Sequence, residues 1–181
     1  VGSEGIVGTP VGLPNDWQLI AGYLVGPSAD LSGVNLTDAD LRGAVLTGVR
    51  SGGITGTPMA LPDGWQLIAG YLVGPGADLS GADLSGANLI NTDLDGADLT
   101  GADLHGVSSG GITGTPSSLP DGWALISGYL VGPVADLRGA SLTGADLSGA
   151  DLSGAKLTVG KSGGFTVSAI EHSDGWLLVN V

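Results

Sequence analysis

The chain has 181 residues, a formal net charge of −13, 35 glycines, 4% aromatic residues and no cysteine. The missing cysteines exclude disulfides and thiolate metal sites, and the acidity disfavours nucleic acid and anionic membranes as partners. No apolar run approaches the ~18 residues of a membrane-spanning helix, so we expect none.

A long repeat divides the chain into modules 1–48, 49–106, 107–159 and 160–181. Each module opens with a related segment, such as VRSGGITGTP in the second, and the first three continue with a stretch such as LPDGWQLIAGYLVGP. Trp17, Trp65, Trp123 and Trp176 mark equivalent positions, 48, 58 and 53 residues apart. Once the four, six and five intervening pentapeptides are removed, a constant connector of 28 residues remains.

Between the connectors, Leu recurs every fifth residue, as in GADLSGADLSGANL from Gly76. A small residue stands two positions before each Leu, and Asp or Asn usually stands between them. A period of five fits neither the helical 3.6 nor the strand period of 2. Short-period self-similarity of this kind predicts a solenoid.

These runs resemble the pentapeptide-repeat family, whose pattern is A(D/N)LXX. The resemblance implies an all-β, right-handed quadrilateral β-helix with four pentapeptides per coil, and the small and central residues pointing inward. We therefore expect one solenoid over residues 1–181, with about eight coils at four units per coil.

The connector allows two interpretations. It divides almost evenly into five-residue units, so the favoured one continues the coil with two small bulges. In that case Trp17 and Trp123 share a face, and Trp65 and Trp176 lie on two others. The alternative is a β-hairpin that projects from the solenoid, with strands at 65–68 and 71–73 around Ala69–Gly70. It is favoured by Trp65, because an indole cannot replace Ala in a packed ladder.

Motifs for catalysis are weak. Residues 155–162 (AKLTVGKS) match a phosphate-loop pattern, but no helix signal follows them. Residues 106–110 (GVSSG) match a nucleophile elbow, but the equivalent segment of the second module carries Arg50 where Ser108 stands. His105 and His172 are the only histidines and show no zinc spacing. We expect no enzyme, cofactor or metal.

Ten of the fifteen residues that precede a central Leu in the pure runs are Asp. Residues twenty apart should stack, which places Asp78 over Asp98 and Asp83 over Asp103. Such columns could recruit Ca²⁺ or a basic partner. Alternatively, the carboxylates bond to local backbone and keep the rod soluble.

Three functions follow from these observations. The leading hypothesis is a non-enzymatic structural or protein-interaction solenoid, a segment of a longer array that associates through its ends. The second is an acidic DNA mimic that binds a type II topoisomerase, as the resemblance suggests for some family members. The third is a flat face that binds Ca²⁺, mineral or ice. The resemblance points to a bacterial protein, and a chain without cysteine is compatible with secretion or the cell surface.

Overall fold

The computed structural model describes residues 5–8, 10–142, 144–147 and 149–157. Within these ranges the chain is all-β, and no helix has the length and apolarity that crossing a membrane requires. Six of its eight short strands form three antiparallel hairpins, and the last two form a parallel pair. The strands are Gln18–Ile20 (β1), Tyr23–Val25 (β2), Gln66–Ile68 (β3), Tyr71–Val73 (β4), Ala124–Ile126 (β5), Tyr129–Val131 (β6), Asp136–Leu137 (β7) and Lys156–Leu157 (β8).

The pentapeptide runs form a parallel ladder with a period of twenty residues. Asp78 pairs with Asp98 and Asp83 pairs with Asp103, as predicted. The amide of Leu79 donates to the Asp98 carbonyl at 2.8 Å, and the amide of Asp98 donates to the Ala77 carbonyl at 2.9 Å. Twenty residues are four pentapeptides, so the chain is a β-helix-like solenoid with four pentapeptides per coil. The coil count of the whole chain stays a prediction.

The inward direction of the central Leu is confirmed. These side chains are at most 1% exposed throughout the longest run, at Leu79, Leu84, Leu89, Leu94, Leu99 and Leu104. The small residues two positions earlier are also buried, and most turns between units use Gly with positive φ, such as Gly81 at 67°. Leu columns without polar atoms fill the interior, so the core needs no hydrogen-bonding partners there.

Each of the three connectors within the described residues contains a hairpin, so the favoured interpretation, in which the coil continues through the connector, is wrong there. In the second connector β3 pairs with β4 in the register Gln66↔Val73 and Ile68↔Tyr71. Ala69 and Gly70 form the turn with φ of 50° and 81°, which is the left-handed geometry of a two-residue hairpin. We call the pairs β1–β2, β3–β4 and β5–β6 hairpins 1, 2 and 3.

The hairpins do not project from the solenoid; hairpins 2 and 3 lie across it, between hydrophobic cores. Leu67 and Leu72 pack with the core of the preceding coils, whereas Ile68, Tyr71 and Val73 pack with the core of the following coils. Hairpin 3 separates the second core from the third in the same way. Side chains alternate between the two sides of a strand, so one hairpin can close two cores at once.

The solenoid has four sides, which we call faces 1 to 4. Each unit is assigned to a face through the outward residue that directly precedes its central position. Across a hairpin the paired residues are 28 apart instead of 20, as in Arg50↔Asp78 and Ser108↔Asp136. A hairpin thus adds the eight-residue difference without changing the register of the faces. Face 1 contains Asp30, Arg50, Asp78, Asp98 and Ser118; face 2 contains Asn35, Thr55, Asp83 and Asp103; face 3 contains Asp40, Ala60, Asn88, Ser108, Asp136 and Lys156; face 4 contains Asp93 and Thr113.

This register overturns the predicted positions of the tryptophans. Trp17 and Trp65 are 48 residues apart, and eight of these residues are added by hairpin 1. The remaining 40 residues make two coils, so the two tryptophans share face 4. The same correction leaves 50 residues, or two and a half coils, before Trp123, which therefore lies on the opposite side, face 2. The prediction that Trp17 and Trp123 share a face is wrong because it depended on a continuous coil. Trp176 lies outside the described residues.

Candidate interaction surface

The outward Asp residues cap the turns of the solenoid. In nine units the Asp carboxylate accepts a hydrogen bond from the backbone amide two residues later. The four candidate site residues all do so, at 3.1 Å for Asp78, 3.1 Å for Asp83, 2.9 Å for Asp98 and 2.9 Å for Asp103. The carboxylate satisfies a turn amide that would otherwise need a water molecule. This is the local structural role expected of Asp and Asn beside a turn. Their use for Ca²⁺ or for a partner stays a prediction.

Neighbouring hydroxyl groups make these carboxylates more acidic. Hydrogen bonds from Ser118 and Thr100 lower the pKa of Asp98, and those from Ser85 lower the pKa of Asp83. Burial alone raises the pKa of Asp78, but hydrogen bonds from Ser80 and Arg50 outweigh burial and lower the pKa overall. These bonds favour the charged forms of Asp78, Asp83 and Asp98.

Arginines neutralise part of the acidic surface. Arg50 lies 2.9 Å from Asp78 on face 1. On face 3, Arg42 pairs with Asp40 and Arg138 with Asp136, both at 2.6 Å. The guanidinium hydrogen bond lowers the pKa of each face 3 carboxyl to about 2. No column of the described part of the chain is therefore a continuous line of carboxylates.

The described residues contain no group of three or more His, Cys, Asp or Glu side chains that could hold a metal ion. The imidazole Nδ1 of His105 lies 2.8 Å from Asp103, and its side chain is 60% exposed. His172 and the GKS end of the phosphate-loop pattern lie outside the described residues.

The nucleophile-elbow pattern has a structural explanation. Ser108 belongs to the ladder and pairs with Asn88 and Asp136. The hydroxyl of Ser109 is buried and accepts the amide of Leu130 from hairpin 3 at 3.0 Å. Ser51 does the same for Leu72 of hairpin 2 at 2.9 Å. Sequence reasoning missed these serines, although Ser at a central position otherwise held by Leu was an available signal.

The hairpins are fixed by two further residue pairs. The hydroxyl of Tyr71 accepts the amide of Asp83 at 3.1 Å, and a Cβ at Gly52 would lie 2.9 Å from the Tyr71 ring. Similarly, a Cβ at Gly74 would overlap the ring of Trp65. The glycines of the connector therefore make room for the aromatic rings of its hairpin.

A family model described as pentapeptide repeats matches eight copies, in residues 28–50, 76–108 and 135–158. The chain carries pentapeptide repeats, which the family model matches over 80 of its 181 residues. The matched segments are the runs that form the twenty-residue ladder, and they leave out the hairpins. No curated protein and no solved structure matches the chain.

The matched repeats indicate a general class of protein. Proteins built from these repeats are generally structural, non-enzymatic scaffolds that commonly mediate protein interactions.

Proposed function

We propose that this chain is a non-enzymatic protein-interaction solenoid that forms one segment of a longer array and associates end to end. The proposal takes residues 1–181 as one right-handed, four-sided rod of about eight coils, organised in modules 1–48, 49–106, 107–159 and 160–181. The observation that carries it is the way hairpins 2 and 3 join successive cores. A hairpin is a joint between stacks of coils.

Hairpin 1 has the same two-sided construction. Ile20, Tyr23 and Val25 pack on the core of the coils that follow. Leu19 and Leu24 occupy the positions of Leu67 and Leu72, and Leu24 is partly exposed whereas Leu72 is fully buried. On this Leu side the Ile6 amide donates to the Gly22 carbonyl at 3.1 Å, as the Ile54 amide does to Gly70 at hairpin 2. We expect the last coil of another solenoid to pack on the same side, next to residues 5–8 and 10–16, because the equivalent side of hairpin 2 packs against a complete preceding coil.

Sedimentation equilibrium over a wide concentration range tests this proposal, together with the maximum dimension from small-angle scattering. End-to-end association lengthens the particle as its mass rises, and Leu19→Asp should abolish the lengthening. Ser80→Asp is the matched control, since it adds the same charge to an exposed turn far from hairpin 1. A particle that never lengthens, or lengthens equally in the Leu19→Asp variant, contradicts the proposal.

The two alternative functions have less support. B-form DNA carries charge on all sides, whereas face 3 of this solenoid pairs its Asp residues with Arg42 and Arg138. A mimic should inhibit topoisomerase supercoiling, and we expect no inhibition. For Ca²⁺, the carboxylates of Asp78, Asp83 and Asp98 already accept local hydrogen bonds that an ion would have to displace. We expect millimolar Ca²⁺ to leave the melting temperature unchanged.

A further inference from the structure

Charge is distributed unevenly around the solenoid. We define the neutral strip as face 3 with the residues nearest to it, from three before to one after each central position: residues 10–14, 38–42, 58–62, 86–90, 106–110, 134–138 and 154–157. Asp63 lies one residue beyond its edge. The strip contains three Asp residues and three cations, so its net charge is zero. The other described residues hold twelve Asp and one cation, Arg50, for a net charge of −11. Charge repulsion between two copies of the rod is therefore weakest along this strip.

The exposed apolar side chains gather on the same strip. Five large hydrophobic residues are exposed in the described part of the chain, and only Val7 lies elsewhere. The four in the strip are Val11 (108% exposed), Met59 (63%), Ile90 (47%) and Val134 (39%). At the position of Ile90 most other units of the longest run have Ser, Thr or Asp. A surface with no net charge and exposed apolar side chains is suited to burial against another surface.

The strip also has a two-fold pattern. The hexapeptide ADLRGA occurs at residues 39–44 and 135–140, and each copy carries one of the two Asp–Arg ion pairs. Along face 3 the order is Asp40, Ala60, Asn88, Ser108 and Asp136. The ion pairs therefore lie two coils below and two coils above Asn88, and Ile90 belongs to that central unit.

We propose that the neutral strip is the interface for a second copy of this chain, packed side by side and antiparallel. The axis of such a pair passes through Ile90, which meets its own counterpart. The ion pair of Arg42 lies opposite the ion pair of Arg138, so each copy meets a neutral Asp–Arg pair of the other and no uncompensated charge is brought into the interface. A C2 interface must be self-complementary in this way.

The size of the strip predicts a weak, reversible dimer. It runs over seven coils, or ~29 Å at ~4.8 Å per coil, and is ~13 Å wide for five residues at ~3.3 Å per step. The buried area is then ~400 Å² per copy, below the ~800 Å² per partner of a standard stable interface. This lateral contact is separate from association through hairpin 1, because it does not lengthen the rod.

Sedimentation equilibrium with Ile90→Asp tests the interface, with Ser85→Asp as the matched control. Both substitutions add one negative charge at the same position of a unit, where Asp95 occurs naturally, but Ser85 lies on the turn after face 2. We expect lateral dimers in the native chain and the control, and at least a tenfold weaker association in Ile90→Asp. A chain that is monomeric at every concentration overturns the proposal, as does a dimer that Ile90→Asp leaves intact.

A disulfide test fixes the antiparallel geometry. The chain has no cysteine, so Ile90→Cys introduces a single thiol at the expected two-fold axis. Under mild oxidation we expect rapid covalent dimers from Ile90→Cys and only slow, random ones from Ser85→Cys. Equal rates for the two variants, or dimers of Ile90→Cys with twice the monomer length, would refute the side-by-side arrangement. Particle length and the Leu19→Asp variant test end-to-end association, whereas the Ile90 variants test lateral pairing, so either proposal can be refuted without the other.

Discussion

The buried Ser51 hydroxyl provides the sharpest test of how the hairpins are held. It accepts the backbone amide of Leu72 at 2.9 Å, and Ser51 is 7% exposed. Ser51→Ala removes the acceptor without adding volume, which leaves a buried N–H unsatisfied. Such a group costs ~1–3 kcal/mol, equivalent to a factor of ~5–150 in the equilibrium for local opening.

Amide hydrogen exchange followed by NMR measures this opening at single residues. In Ser51→Ala we expect the Leu72 amide to exchange ~5–150 times faster, while the Leu130 amide, held by Ser109, keeps its native rate. Ser85→Ala is the control, because the Ser85 hydroxyl bonds an exposed carboxylate. Unchanged protection of Leu72 would show that the serine hydroxyl does not hold the hairpin.

Three further predictions concern stability. Leu89→Asp places an unpaired charge in a fully buried column, so the urea midpoint should fall by the equivalent of at least ~4 kcal/mol; an unchanged midpoint would contradict the inward assignment. The guanidinium bonds lower the folded-state pKa of Asp40 and Asp136 to about 2. The two ion pairs therefore stabilise the folded state above the unfolded-state pKa of ~3.8, and this stabilisation is lost as the pH falls from there towards 2. Carboxyl NMR titration should place both midpoints at the lower value, and ordinary midpoints would exclude the ion pairs. Ala69→Asn should stabilise hairpin 2 by ~0.5 kcal/mol, because Asn adopts the left-handed φ of 50° at this turn more readily than Ala; calorimetry should show a higher melting temperature, and a lower one would contradict the turn geometry.

Local sequence predicted the regular part of the fold well. A five-residue period with Leu at its centre fixes which side chains point inward, and four such units return the chain to the same face. The stacks of Asp78 on Asp98 and of Asp83 on Asp103 follow from that period alone. The composition also predicted carboxylates that bond to local backbone, because Asp and Asn beside a tight turn commonly accept its amides.

The connectors were harder because their sequence satisfies two periods. Leu61, Leu67 and Leu72 fit a degenerate pentapeptide, yet Ala69–Gly70 also forms a hairpin turn. What decides between them is packing at long range. The hairpin closes two cores with alternate side chains, and Ser51 and Gly52 provide the space and the acceptor that it needs.

The sequence by itself determined the solenoid, its inward columns and its acidity, since these depend on contacts that repeat every five and every twenty residues. Only the tertiary structure decided which residues share a side. Each connector of 28 residues consists of one 20-residue coil and an eight-residue hairpin. With the hairpin residues left out of the count, Met59, Ile90 and Val134 lie on one face, where they are exposed. Residues so far apart in sequence become neighbours only when the inserted hairpin is known to leave the coil register unchanged.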